Sequence, residues 1–166
     1  MSRRAIIVAT LAAAALVAAP AWFGYAPGFI WNASASVPIG LYGLAPTARL
    51  DIGDYVVVAP PEPLATFLAE RSYLPLGVPL IKRVLALPGG KVCRQGLTIF
   101  AYEHPYGSAR ERDRLGRPLP SWQGCRTLGD SEIFLMNWDA PDSLDGRYFG
   151  PLPASSIVAR ALPLWT

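Results

Sequence analysis

Ser34-Ala35-Ser36-Val37-Pro38-Ile39-Gly40-Leu41-Tyr42 carries two serines one residue apart, a proline two residues after the second, and a glycine two beyond that. Pro38 restricts φ and Gly40 permits a turn, so the stretch reads as a loop able to aim a side chain. A serine hydroxyl is a poor nucleophile without a base set against it. Either a base lies elsewhere in the chain, or these residues are an ordinary turn leading into a strand.

Upstream, no charged side chain occurs between Arg4 and Arg49, and Ala5 to Trp31 is almost unbrokenly apolar. That run exceeds the roughly 20 residues needed to cross a hydrocarbon core. Arg3 and Arg4 supply the positive flank that retains an N-terminus in the cytoplasm, which predicts an anchor over 1–31 and an exported body over 32–166. Trp22, Phe23, Tyr25, Phe29 and Trp31 continue the run as an interfacial aromatic belt would. Ala19-Pro20-Ala21 offers the alternative of a cleaved signal segment, although proline beside the cut disfavours it.

The exported part reads as short strands between turns. Tyr55–Ala59, Leu80–Leu87, Lys91–Val92, Leu97–Tyr102, Glu132–Asn137 and Ser156–Leu164 are β-branched or apolar runs bounded by Gly and Pro. Leu64, Phe67 and Leu68 recur at helical spacing, which predicts one short amphipathic helix within Pro63–Leu74. Glu103–Gln123, rich in Gly, Pro and charge, reads as a long surface loop. With no βαβ alternation, the fold class expected is mostly β: a single N-terminal transmembrane helix followed by an antiparallel β domain.

The net charge of +3 is scattered, and the one dense basic patch, Arg110 to Arg117, is interrupted by Glu111 and Asp113. This argues for a solvated loop and against a nucleic-acid surface. Cys93 and Cys125 are the only cysteines; in an oxidising compartment an even pair invites one bridge closing the long loop. Two cysteines and a distant His104 are too few ligands for a metal site, so neither metal nor cofactor is expected.

His104 is the single histidine and lies in the predicted loop, without features that would fix an imidazole. A lysine can serve as base if burial lowers its pKa toward 7 or 8. Only Lys82 and Lys91 are available, and Lys91 follows two glycines at a turn. Lys82 interrupts an apolar strand, where alternation aligns it with Leu80 and Val84 and its ammonium form would be desolvated. An edge-strand charge is the structural alternative.

Ser34–Tyr42, Lys82-Arg-Val-Leu-Ala-Leu-Pro-Gly89 and Asp142-Ser-Leu-Asp-Gly-Arg-Tyr-Phe-Gly150 stand in the order found in the type I signal peptidases. The chain resembles that family, most closely its conjugative transfer branch, the TraF type, over its whole length from anchor to C-terminus. The resemblance implies a membrane-anchored serine peptidase of the bacterial inner membrane, with a cytoplasmic N-terminus and a periplasmic catalytic domain. Its substrates would be membrane-inserted pilin or other exported precursors, processed for conjugative transfer by hydrolysis or cyclisation. It implies Ser36 as nucleophile, Lys82 as general base, and Ser34 with the Ser36 amide as the oxyanion donors. Ser143 would orient the lysine amine, and Asp145 with Arg147 would form a supporting ion pair. The chain departs from the common pattern in three places: one residue instead of two separates Ser36 from Pro38, Gly90 stands for a frequent aspartate, and Gly146 for a usual serine. A non-catalytic β scaffold of a secretion or conjugation apparatus is the rival reading, and a self-cleaving Ser/Lys protein a more distant one.

Overall fold

The computed structural model describes residues 2–22 and 28–166, with the side chains of 20–22 left aside. Helix α1 (Arg3–Trp22) is followed by strands β1 (Phe29–Asn32), β2 (Gly40–Ala45) and β3 (Tyr55–Val58), then helix α2 (Leu64–Glu70). After it come β4 (Leu80–Ala86), β5 (Lys91–Gln95), β6 (Thr98–Ala101), β7 (His104–Ser108), β8 (Gly124–Thr127) and β9 (Glu132–Leu135). Helix α3 (Gly146–Phe149), β10 (Leu152–Pro153) and β11 (Ile157–Trp165) complete the order. The architecture is mostly antiparallel β with a few helices, as the strand and turn pattern predicts.

The larger sheet has the order β1-β2-β11-β3-β4-β9-β10 and the smaller one β7-β6-β5-β8. In the larger sheet β4 lies between β3 and β9, so Lys82 sits on an interior strand, paired across to Val56. The edge-strand alternative for Lys82 is thereby excluded. Leu85 and Ala86 of β4, Val92, Ile99 and Ala101 of the smaller sheet, and Phe134 and Met136 form one core cluster, which ties the two sheets together. Helix α2 buries Leu64 and Leu68, one face of the expected amphipathic pattern.

Three expectations are corrected. The apolar run Ala5–Trp31 is not one element: α1 ends at Trp22, Phe29–Asn32 forms β1 in register with β2, and Phe23 and Tyr25 lie outside the described residues. Apolar residues near a chain end satisfy a strand as well as a helix, and antiparallel partners in β2 decide the matter for Phe29–Asn32. Among the described residues no helix is long and apolar enough to cross a membrane. The second correction is at Glu103–Gln123, which begins with a strand, β7, paired to β6. A β-turn at Tyr102–Glu103, both at positive φ, makes that hairpin despite the scarcity of apolar residues. Finally, the Ser34–Tyr42 stretch is a loop only as far as Ile39, after which β2 begins.

Gly40, the first residue of β2, is required by close approach: a Cβ there would lie 1.9 Å from the Trp165 carbonyl oxygen on β11. Cys93 and Cys125 are direct cross-strand partners on β5 and β8 and form the expected disulfide, spanning 32 residues that include the whole of Glu103–Gln123.

Candidate active site

The serine loop hangs from Asn32, the last residue of β1. Its buried amide nitrogen donates to the carbonyls of Ser34 (2.7 Å), Val37 (3.1 Å) and Pro38 (3.0 Å), sharing two hydrogens among three acceptors. Its Oδ1 accepts from the Ser34 amide and the Ser34 hydroxyl, both at 3.2 Å. The Tyr42 hydroxyl donates to the Pro38 carbonyl at 2.7 Å, and buried Val37 pins the loop to a core cluster with Tyr42, Val57 and Ile81. The two serine hydroxyls are left 2.8 Å apart, hydrogen-bonded to each other, with Ser36 half-buried and Ser34 exposed.

Lys82 is 4% exposed, and its Nζ donates to Ser143 Oγ at 2.9 Å. Burial lowers its pKa from the usual lysine value to about 8; the Asp145 carboxylate opposes this without offsetting it, and the Arg147 guanidinium adds to it. Ser143 also accepts from the Asn137 amide nitrogen at 3.3 Å. Asn137 braces both sides of this arrangement, donating to the Ile81 carbonyl (3.3 Å) and accepting from the Arg83 amide (2.8 Å).

Beneath them lies a buried ion pair. Asp145 caps α3, accepting from the Arg147 amide at 3.1 Å, and receives Arg147 Nε at 2.9 Å and Nη2 at 2.8 Å. Asp145 Oδ2 also accepts from the Asn137 amide at 3.0 Å. The remaining Arg147 donors reach the carbonyls of Ala140 (2.7 Å), Asn137 (3.0 Å) and Pro141 (3.2 Å). Burial opposes the Arg147 charge, yet its hydrogen bond and charge contact with Asp145 hold the pKa above the ordinary arginine value. A pair buried this deeply is tolerated because nearly every donor and acceptor is used, and it organises residues 137–147 as one unit.

A cleft of about 450 Å³ opens at the serine loop, lined by Ser36, Val37, Pro38, Ile39, Tyr55, Arg83, Asn137 and Asp139 with two alanines. Arg83 lies over the Trp138 ring at 4.0 Å and donates to Asp139 at 2.7 Å, closing one wall. Lys82 is not a lining residue; its neighbours Arg83 and Asn137 are, so the amine lies behind the wall. The structure therefore brings Ser34 to Ser36, Lys82 to Ser143, and Asp145 to Arg147. Among the hydrogen bonds of the described residues, none joins Ser36 Oγ directly to Lys82 Nζ.

A model of the family described as signal peptidase, peptidase S26, matches residues 3–165. The chain belongs to this family. It is 36% identical over 172 residues to a plasmid transfer protein TraF of Escherichia coli, covering 97% of this chain and 93% of that protein. A probable conjugal transfer protein TraF of Sinorhizobium fredii is 34% identical, with 95% and 85% covered. A probable signal peptidase I-1 of Synechocystis is 32% identical over 67% of this chain and 52% of its own length. Among solved structures, a signal peptidase I of Enterococcus faecalis is similar at 17% identity and a TM-score of 0.40, covering 68% of this chain and 96% of that one.

In the present chain, two site residues escape motif reading. Asn32 lies outside the Ser34–Tyr42 stretch, and its signal was an Asn two residues before a serine, the pattern of an Asx turn. Asn137 ends a predicted strand; only the structure reveals that it bridges β4 to Ser143. Gly146, a departure from the common pattern, is explained by space: a Cβ there would meet the Leu135 carbonyl at 2.7 Å and the Phe134 ring at 2.8 Å.

Proposed function

We infer that this chain is a membrane-anchored serine endopeptidase with a Ser36/Lys82 dyad, processing pilin or other exported precursors for conjugative transfer. The observation that carries the reading is Lys82: a buried amine with pKa near 8, held by Ser143 beside a cleft that contains Ser36. An amine of that pKa is partly neutral near neutral pH and can accept a proton, which an ordinary lysine does poorly.

In the proposed reaction a substrate carbonyl enters the cleft, and Ser36 Oγ exchanges its hydrogen bond with Ser34 for proton transfer to Lys82 Nζ. The new Oγ–C bond leaves an oxyanion that the Ser36 amide and the Ser34 hydroxyl stabilise. Collapse breaks the C–N bond, the ammonium of Lys82 protonates the departing amine, and an acyl-enzyme remains. Neutral Lys82 then deprotonates the acceptor. Water gives a linear product, and an α-amine of the same acyl chain gives a cyclic one. Val37, Pro38, Ile39 and Tyr55 make the cleft walls apolar, which suits small side chains before the cut.

The anchor is proposed for the segment that precedes β1, with the cytoplasm on the Arg3–Arg4 side and the catalytic body, from β1 onward, in the periplasm of a bacterial inner membrane. Ile6, Ile7, Val8, Leu11, Leu16 and Val17 of α1 are all at least half exposed, a helix surface that calls for an apolar environment. The disulfide suits an oxidising compartment. Incubating the purified chain, in detergent or vesicles, with a purified pilin precursor tests the reading by mass spectrometry. Cleavage at one site supports it, a product lighter than the linear form by one water identifies cyclisation, and an intact precursor under all conditions favours a scaffold.

A further inference from the structure

Arg94, on β5 of the smaller sheet, is 2% exposed and belongs to no motif of the family pattern above. Among the described residues it forms no ion pair: Nε donates to the Gly96 carbonyl at 3.1 Å and Nη1 to the Arg147 carbonyl at 2.6 Å. A guanidinium stripped of water without a carboxylate partner is costly, and burial lowers its pKa, with Tyr148 opposing. The main-chain oxygen it holds belongs to the residue whose side chain organises 137–147. One residue earlier, Trp122 donates its indole N–H to the Gly146 carbonyl at 2.9 Å while packing edge-on to Phe134 at 5.9 Å. Gly146 thus has its carbonyl held by Trp122 and its Cα packed close to the Phe134 ring. Arg94 lies on β5 next to Cys93, and Trp122 lies just ahead of β8, three residues before Cys125, so both contacts come from beside the Cys93–Cys125 bridge.

We propose that Arg94 and Trp122 are positioning residues for the reaction: by holding the Arg147 and Gly146 carbonyls they fix the turn that sets Ser143 against Lys82. Neither touches the cleft, so substrate binding does not depend on them. The charged groups around Lys82 are Asp145 and Arg147, both carried by the gripped segment. Loosening it admits water to the amine, and because desolvation is the largest influence on Lys82, its titration then moves up toward the ordinary lysine value.

The inference rests on the Ser36/Lys82 reading for its kinetic test but not for its titration test. The chain has two lysines, so lysine labelled with ¹³C at Cε gives two resonances, one of them Lys82. In the full chain, Arg94→Met is expected to lower kcat about tenfold with KM changed less than about twofold, and to move the Lys82 midpoint upward from about 8. Arg94→Lys, which can still reach a carbonyl, recovers part of both. Trp122→Phe keeps the ring packing, removes one donor and shifts both quantities in the same direction by less, which serves if Arg94→Met does not fold. Lower thermal stability with unchanged kcat and an unmoved Lys82 midpoint overturns the proposal. A wild type that titrates as expected but processes no precursor defeats the proposed function alone.

Discussion

Ser36 lies half-buried on a loop braced chiefly by one amide side chain, whereas Lys82 lies in the middle of a sheet with its charge environment set by the buried Asp145–Arg147 pair. The loop is aimed by hydrogen bonds to main-chain carbonyls and asks nothing unusual of its serine. The lysine chamber forces a change in its occupant, since burial removes hydration from the ammonium form. A nucleophile must reach solvent and substrate, so its tuning is geometric; a base of high intrinsic pKa must be retuned, so its tuning is dielectric. Activity should therefore fall at both residues, whereas stability should respond at Lys82 and hardly at Ser36.

The largest effect expected is on processing itself. Ser36→Ala and Lys82→Ala each reduce the single-turnover rate on a purified precursor by about 10³-fold or more, with circular dichroism unchanged, and the double variant is no worse than either. Near-additive losses would separate the two regions and break the dyad. Next, Ser143→Ala lowers kcat by about 10²-fold with KM little changed, because it releases the lysine amine without altering the cleft. A KM effect alone would move Ser143 into substrate binding.

Asn32→Ala leaves three carbonyls and the Ser34 amide without their shared partner and costs about 1–3 kcal/mol in chemical denaturation, together with most of the activity. The smallest effect is the sharpest contrast. Lowering the lysine pKa from 10.5 to about 8 means the folded state binds fewer protons than the unfolded state between those values. Stability therefore rises with pH across that window, and below about 8 the full ionisation cost, on the order of 3 kcal/mol, is carried by the fold. Lys82→Met should stabilise the protein at pH 7 by about 1–3 kcal/mol and remove that slope, while Ser36→Ala changes stability by less than about 0.5 kcal/mol. Equal and small effects for both would mean that the chamber is not desolvated.

The lysine side of this contrast was the more legible from sequence. A lone Lys82 inside Leu-Ile-Lys-Arg-Val-Leu on a candidate strand leaves an edge-strand charge as the local alternative, the serine loop upstream tips the reading toward a desolvated amine, and the interior strand β4 carries it. The serine pair and the Asp145–Arg147 pair were legible as motifs because their partners are near in sequence. Asn137, Arg94 and Trp122 were not, since each acts through a carbonyl or hydroxyl brought close by sheet pairing, and main-chain acceptors leave no mark in side-chain patterns. Strand β7 was hidden for a related reason: its residues are mostly exposed or half-buried, and pairing with β6 rather than apolar alternation defines it. At the N-terminus, hydropathy alone could not divide a helix from the strand that follows, because both are apolar.

The central proposal is that Lys82, whose neutral form burial makes accessible near pH 8, is the base for Ser36, and the pH dependence of kcat/KM on a purified precursor tests it most directly. The rate should fall about tenfold per unit below pH 8 and level off above it, with the inflection near the pKa of about 8 that burial imposes on the amine. A profile flat from pH 6 to 10, with the protein folded throughout, would contradict it.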